Sequence, residues 1–277
     1  MRFAICNEMF EVWNTDSGFD FARFCRFSKE CGYEGVEIAP FTIASSAYDI
    51  PAEKRNEIRK VVESFGLQIT GLHWLLAKTA GFHLTSPDTE VRRKTAEYFQ
   101  ELIRLCADLG GKFLILGSPS QRTLSPEISP EQGEDYASEI FRTVLPQLEK
   151  SGVKIAVEPL SMKETNFWNT AKEVVDFVRR LDALEHIALH LDCKAMCGEQ
   201  KPIPEIIHEF KDDFIYLHVN DPNLQGPGFG HLKFGPIIAA LEKIQYDGWV
   251  SLETFDYSPG PELLAQKSIA YLKSFLD

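Results

Sequence analysis

The second half of the chain reads VKIAVEPL at 153–160, IALHLDC at 187–193, FIYLHVND at 214–221 and WVSLETFD at 249–256. Each segment is a short apolar run with β-branched or aromatic residues, typical of a buried strand, and each is followed by a helix-compatible stretch. Four similar runs precede them, at about 2–7, 34–39, 67–73 and 112–117. Eight strand–helix units are the number in a (β/α)8 TIM barrel. We therefore predict one α/β domain of this architecture over residues 1–277.

The runs are almost continuously apolar, as in LQITGL (67–72) and KFLILG (112–117). Parallel strands that are buried on both faces require this pattern, and an open doubly wound sheet would satisfy it equally well. Two observations favour the closed barrel: the alternation shows no topological switch, and no GxGxxG motif follows the first run.

Helix boundaries are marked by glycine and proline. The first predicted helix ends at Gly32, the second runs from Pro51 to Gly66, and the third ends at Gly110. Later helices are predicted at 134–152, 170–182, 202–213, 234–248 and 261–277. Pro146 lies inside the first of these, where a bend is expected.

Composition limits the classes of partner. The chain has 41 acidic and 29 basic side chains and a formal net charge of −12, which disfavours nucleic acid and anionic membranes. The six cysteines lie in or beside predicted helices and strands, as expected for reduced thiols in a cytoplasmic protein. No apolar run approaches the roughly 18 residues of a membrane span. We expect a small-molecule substrate; a homodimer is compatible with the sequence but is not selected by it.

Four runs end in a possible metal ligand: Glu158, Asp192, His218 and Glu253. In a TIM barrel the carboxyl ends of the strands meet at one mouth, so these side chains are predicted to converge. Three carboxylates and an imidazole would repel one another unless a cation held them. This donor set suits Mn²⁺ or Mg²⁺, with Co²⁺ or Zn²⁺ as alternatives. Taken singly, each residue has an alternative role as a helix cap or a loop salt bridge.

Other polar residues lie at strand ends. Residues two apart share a face of a strand, so His190 accompanies Asp192, and Asn220 accompanies His218. Glu37 ends the second run, where the alternative is an ion pair with a lysine of a neighbouring strand. For His73 and His190 the alternative is a core histidine bonded to the backbone.

The ligand order has intervals of 34, 26 and 35 residues, and it resembles the sugar phosphate isomerase/epimerase superfamily, the xylose isomerase-like TIM barrels. The ketose 3-epimerases have the most similar ligand pattern, and the similarity covers the whole chain. The resemblance implies one divalent metal ion bound by Glu158, Asp192, His218 and Glu253. It also implies that Glu158 and Glu253 are catalytic, and that Glu164, six residues after the first, orients the substrate.

Two positions depart from the family pattern. The epimerases have a histidine three residues after the metal aspartate and an arginine six residues after the metal histidine, where this chain has Ala195 and Leu224. Different substrate contacts are therefore expected. The candidates for substrate binding are Glu164, His73, Asn220, His190, Lys194 and Glu37.

The resemblance implies removal of a proton next to a sugar carbonyl to give an enediolate, with return of the proton to the same carbon (epimerase) or the neighbouring one (isomerase). A keto-inositol-type dehydratase begins with the same step and is the nearest alternative. An apurinic-site endonuclease of the same barrel superfamily would need further metal ions and a positive DNA-binding surface, against which the net charge argues. A non-catalytic sugar-binding barrel is the remaining alternative.

Overall fold

The computed structural model describes residues 1–16 and 18–276, which form a closed barrel of eight parallel strands. The strands are β1 (Arg2–Cys6), β2 (Gly35–Ile38), β3 (Gln68–Leu72), β4 (Phe113–Leu116), β5 (Lys154–Val157), β6 (Ile187–Asp192), β7 (Phe214–Val219) and β8 (Trp249–Leu252). Each pairs in parallel with its neighbours in chain order, and β1 closes the ring by pairing with both β8 and β2. The predicted barrel is confirmed.

Helices alternate with the strands as predicted. They are α1 (Phe21–Cys31), α2 (Ala52–Ser64), α3 (Thr89–Asp108), α4 (Pro130–Ser151), α5 (Ala171–Leu181), α6 (Cys193–Met196), α7 (Ile203–Glu209), α8 (Phe234–Lys243) and α9 (Pro261–Lys273). Some boundaries differ from the sequence prediction. Helix α4 begins four residues early because Ser129 and Gln132 form a capping box. Helices α7 and α8 end four and five residues before their predicted ends, and the predicted end of the last helix, residue 277, lies outside the described residues. Pro146 lies inside α4, and the one-turn helix α6 was not predicted.

The core has two parts. Ala4, Ile115, Ala156, Tyr216 and Trp249 come from five different strands and form a buried cluster inside the barrel. A larger cluster fills the layer between strands and helices. The inner cluster closes the barrel below its mouth, so the polar strand ends lie above a packed floor.

The mouth is built by the segments that follow the strands. A 3-10 helix, Glu8–Trp13, follows β1, and another, Pro119–Gln121, follows β4. Trp74 and Ser118, close after β3 and β4, have left-handed backbone conformations with φ of 52° and 47°. Across residues 1–16 and 18–276, none of the helices has the length and apolar character needed to cross a membrane.

Candidate metal centre

The four predicted ligands converge at the barrel mouth. One donor atom from each of Glu158, Asp192, His218 and Glu253 lies within 4.8 Å of every other, and all four side chains are buried. Asp192 and His218 are direct partners in the register of β6 and β7, whereas Glu158 and Glu253 follow β5 and β8 immediately. We call these four residues the ligand quartet.

Gly117, just after β4, provides the space that Glu158 occupies. A Cβ atom at position 117 would overlap the Oε2 atom of Glu158. The position of this carboxylate therefore depends on a missing side chain on the neighbouring strand.

Asp192 is held by two donors from the protein. Its Oδ1 atom accepts from the backbone N–H of Ala195 at 2.7 Å, which makes Asp192 the N-cap of α6. Its Oδ2 atom accepts from Nδ2 of Asn220 at 2.6 Å, and Oδ1 of Asn220 accepts in turn from the backbone N–H of Lys194 at 2.8 Å. The carboxylate is thereby fixed in orientation.

The His218 ring lies between two carboxylates. Its Nδ1 atom is 3.0 Å from Oε2 of Glu253, and its Nε2 atom is 3.1 Å from both oxygens of Glu37. The Tyr216 hydroxyl donates to Oε2 of Glu37 at 2.8 Å. Glu37 thus orients the ring from behind and favours a proton on Nε2, which leaves Nδ1 free to bind an ion.

A second group of acids lies beside the quartet. Oε2 of Glu8 is 2.7 Å from Nε2 of His73, and Nδ1 of His73 is 3.6 Å from Oε1 of Glu37. With the Glu37–His218 contact, these residues form an alternating series of Glu8, His73, Glu37 and His218, which we call the carboxylate–histidine chain.

The pKa values of the acids in the two groups are shifted in opposite directions. Burial, and then the nearby carboxylates of Asp192 and Glu253, raise the pKa of Glu158 well above its usual range. Burial also raises the pKa of Asp192. Burial acts in the same direction on Glu37, but His218 and His73 outweigh it and hold the pKa of Glu37 well below its usual range.

The difference between these pKa shifts bears on whether a metal ion fits the quartet. The acids of the quartet lack enough positive partners for their number, and their oxygen-rich donor set, completed by one imidazole, matches a hard divalent cation. Such an ion would supply the charge that keeps Glu158 and Asp192 ionised. The residues present therefore fit a divalent metal ion.

A cavity of about 50 Å³ opens above the quartet. We call it the inner cavity; its lining includes Glu158, His218, Glu253, His73, Glu164, Lys194 and Phe255. Nζ of Lys194 donates to Oε1 of Glu164 at 2.6 Å and lies 4.7 Å from the centre of the Phe255 ring. Lys194 is the residue just before Ala195, so a basic side chain reaches the cavity from a position adjacent to the missing histidine.

The structure places the predicted substrate-binding residues in two layers. Glu164, His73 and Lys194 line the inner cavity, whereas Glu37, His190 and Asn220 are absent from its described lining and are fully buried below it. The alternative of a lysine partner for Glu37 is wrong, because its side chain contacts histidines and Tyr216. His190 packs edge to face on His218, 4.3 Å between ring centres, and burial lowers its pKa well below the usual value.

Leu224 has no polar side-chain atom, so it cannot replace the donor groups of an arginine. Its backbone is left-handed, with φ of 72°, and its side chain is 43% exposed. Its carbonyl oxygen accepts from the backbone N–H groups of Phe255 and Asp256. The position thus ties two loops of the mouth together.

The predicted site residues did not include Gly117, Glu8 or Arg122. Arg122 is fully buried, and its Nη1 donates to the backbone oxygen of Glu158 at 2.6 Å; burial lowers its pKa to about 10. The sequence marks Glu8 as a polar residue after the first strand and Arg122 as a basic residue near the strand ends, but it does not assign them a partner. Gly117 carries no such signal, since its role depends on Glu158 of the neighbouring strand.

Comparison with known proteins gives consistent results. A family model described as xylose isomerase-like TIM barrel matches residues 25–275. A probable ketose 3-epimerase from Synechocystis is 23% identical over 264 residues, covering 89% of this chain and 88% of its own. A 3-dehydro-D-guloside 4-epimerase from Escherichia coli is 22% identical over 258 residues, covering 90% and 92%. A crystal structure of D-psicose 3-epimerase with D-tagatose, from Clostridium cellulolyticum, superposes with a TM-score of 0.83 at 23% identity and covers 99% and 98% of the two chains.

Proposed function

The chain belongs to the xylose isomerase-like TIM barrel family, and we propose that it is a divalent-metal-dependent epimerase or isomerase of a keto sugar. The observation that carries the proposal is the ligand quartet, whose donor atoms lie within 4.8 Å of one another beneath the inner cavity. The epimerase names of two relatives and the whole-chain superposition support the same class of reaction.

Glu158, Asp192, His218 and Glu253 would hold the ion, and Mn²⁺ or Mg²⁺ fits this donor set best, with Co²⁺ or Zn²⁺ as alternatives. When bound, the ion supplies the positive charge that stabilises an enediolate of the substrate. The other steps belong to side chains of the protein.

Glu158 and Glu253 are the proposed catalytic residues. Both line the inner cavity, so each carboxylate reaches a bound sugar directly. One takes the proton next to the carbonyl, and the other returns a proton to the opposite face, which inverts the carbon. Return of the proton to the neighbouring carbon would give an aldose–ketose isomerase from the same arrangement.

Lys194 and Glu164 are the proposed contacts for the sugar hydroxyls. Their ion pair lies on the cavity wall, with side-chain exposures of 12% and 30%, so both groups stay within reach of a ligand. Burial would lower the pKa of Lys194, but Asp192 and Glu164 outweigh it and raise the value, so the amine is charged and donates. His73 lines the same cavity and is the third proposed contact.

Glu37, His190 and Asn220 are proposed to position ligands instead of touching the sugar. Glu37 contacts the His218 ring, Asn220 contacts the Asp192 carboxylate, and the His190 ring packs on His218. Outer-sphere partners of this kind typically change metal affinity or activity by about 10–100-fold.

The test begins with the metal content of the purified protein. Keto sugars are then incubated with the Mn²⁺-loaded protein in D₂O, and the recovered sugars are analysed for deuterium on carbon. We expect one divalent ion per chain and deuterium next to the carbonyl of at least one keto sugar. A protein that binds no stoichiometric divalent ion, or that exchanges no carbon-bound hydrogen, would contradict the proposal.

Asp192→Asn provides the matched variant. It removes one ligand charge while keeping the shape, so metal affinity and deuterium incorporation should both fall, by about 10²-fold or more. Asp212→Asn, at an aspartate whose side chain is 84% exposed, is the control and should change neither. Equal metal affinity in the two variants would remove Asp192 from the proposed ligand set.

A further inference from the structure

A second cavity adjoins the inner one at the barrel mouth. Its volume is about 340 Å³, and it shares Trp74, Ser118 and Pro119 with the lining of the inner cavity. We call it the outer cavity; its other lining residues are Glu8, Glu11, Phe41, Ala77, Lys78, Ser120, Gln121 and Tyr257. The inner cavity is smaller than the range of about 300–1,000 Å³ that is usual for a small-molecule site, whereas the outer cavity lies within that range, so most of the space for a ligand is in the outer cavity.

The outer cavity has the surface chemistry of a site for a neutral ring. Trp74 and Tyr257 line it with aromatic rings, on which the apolar faces of sugar or aryl rings pack. Phe41 lines it as well, with Nζ of Lys78 3.7 Å from the centre of its ring. Among its described lining residues, Lys78 is the only basic one, and its Nζ lies 3.4 Å from Oε1 of Glu11. A phosphate group would find no free cationic partner there, which favours an uncharged ligand.

Two buried polar atoms that belong to residues lining the outer cavity have no partner within the described residues. They are Oε1 of Glu8, in a side chain only 3% exposed, and Nε1 of Trp74. One is an acceptor and the other a donor, and buried polar atoms of this kind normally have partners. Their unmet hydrogen-bonding capacity is consistent with a hydroxyl-bearing ligand in the outer cavity.

The shared wall is also where the backbone is strained. Trp74 and Ser118 both line the two cavities and both adopt left-handed conformations, at φ of 52° and 47°. Non-glycine residues in this region cost free energy and are concentrated at functional sites. The strained backbone therefore lies in the wall that the two cavities share, where Oγ of Ser118 also accepts from the backbone N–H of Leu76 at 3.2 Å.

We propose that the substrate is a keto sugar that carries a second neutral ring, with the keto sugar over the ligand quartet and the second ring in the outer cavity. The inference rests on the proposed function for the orientation of the substrate. It goes further by assigning the outer cavity as a binding site and a disaccharide or glycoside as the substrate class.

The experiment compares free and ring-bearing keto sugars as probes. In the first set the smaller sugar is D-fructose, and the ring-bearing sugars are maltulose and isomaltulose, which carry glucose on O4 and O6. In the second set the smaller sugar is methyl 3-keto-β-D-glucopyranoside, and the ring-bearing sugar is 3-ketocellobiose. Dissociation constants for the Mn²⁺-loaded protein are measured by calorimetry, and deuterium exchange is measured in parallel. We expect at least one ring-bearing sugar to bind about tenfold more tightly than its smaller counterpart, a difference of about 1.4 kcal/mol.

Ala77→Phe fills the outer cavity from a half-buried position that does not line the inner one. It should abolish the preference for the ring-bearing sugar and leave the binding of the smaller sugar unchanged. Ala80→Phe, at an exposed residue of the same segment that lines neither cavity, is the control and should preserve the preference.

The outcomes separate the two proposals. Exchange without any preference for a second ring, or a preference that survives Ala77→Phe, would overturn this inference and leave the proposed function standing. A preference that Ala77→Phe removes, without exchange in any probe, would support the outer site and contradict the proposed reaction. Absence of both binding and exchange would count against both.

Discussion

The ligand quartet and the carboxylate–histidine chain are two groups of buried acids that share His218 and yet differ in how their charge is balanced. In the chain, Glu37 lies between two histidines and its pKa is held low. In the quartet, Glu158 faces two further carboxylates and its pKa is raised. The histidines of the chain balance the charge of Glu37, whereas the acids of the quartet lack such partners and fit a positive ion. The difference separates Glu37, an acid that positions His218, from the acids that fit a metal ion.

The largest effect is expected from Gly117→Ala, which disturbs the quartet alone. The added methyl group would overlap Oε2 of Glu158 and displace the carboxylate. Since misplacement of a catalytic group by about 1 Å can cost 10²-fold, deuterium exchange should fall by about that factor. The measurement is the exchange rate at saturating Mn²⁺.

Gly198→Ala is the control for this prediction. A Cβ atom there would lie 3.2 Å from the nearest described atom, the oxygen of Ala195, a distance that small shifts accommodate. If Gly117→Ala retained full exchange activity, Glu158 would not need its observed position and the catalytic role proposed for it would weaken.

Glu37→Gln changes one member of the carboxylate–histidine chain, and it should affect the quartet only through His218. The amide keeps the size of the side chain but loses the charge that orients the imidazole, so metal affinity should fall by about 10–100-fold. Metal titration by calorimetry checks this. Exposed Glu30, changed to Gln, is the control, and equal metal affinities in the two variants would show that Glu37 does not position His218.

The smallest effects concern the stability of the metal-free protein as a function of pH. The contributions of the quartet and of the carboxylate–histidine chain to the free energy of unfolding should change with pH in opposite directions. The pKa of Glu158 is raised on folding, so its stabilising contribution is present below the unfolded value of about 4.3 and is lost as the pH rises through the folded pKa. The pKa of Glu37 is lowered on folding, so its contribution is present above about 4.3 and is lost as the pH falls through the folded pKa.

Thermal unfolding as a function of pH after chelation tests this contrast. Glu158→Gln should flatten the loss of stability with rising pH, and Glu37→Gln should flatten the loss on the acid side. A difference of one pH unit between folded and unfolded pKa values corresponds to about 1.4 kcal/mol, which is measurable in a melting curve. Slopes of the same sign for the two residues would contradict the comparison.

Much of this arrangement was predictable from the sequence. Apolar runs with polar ends specify parallel strands and place Glu158, Asp192, His218 and Glu253 at one mouth, because strand direction and alternation follow from local pattern. The convergence of their side chains in the structure agrees with that expectation.

The partners of individual side chains were not predictable. The sequence marks Glu37 as a polar strand end, but whether it faces a sugar or a histidine depends on its depth in the barrel and on Tyr216 of a distant strand. The outer cavity depends on left-handed backbone at Trp74 and Ser118, residue types that do not signal such a conformation.

The two N–H donors on Asp192 have a consequence for how the site is loaded. Ala195 and Asn220 fix this carboxylate without help from an ion, so binding the ion removes little conformational entropy from it. The same bonds connect α6 to β6 and β7 without any ion. If the proposed metal ion binds here, the barrel would not have to refold when the ion leaves and another takes its place.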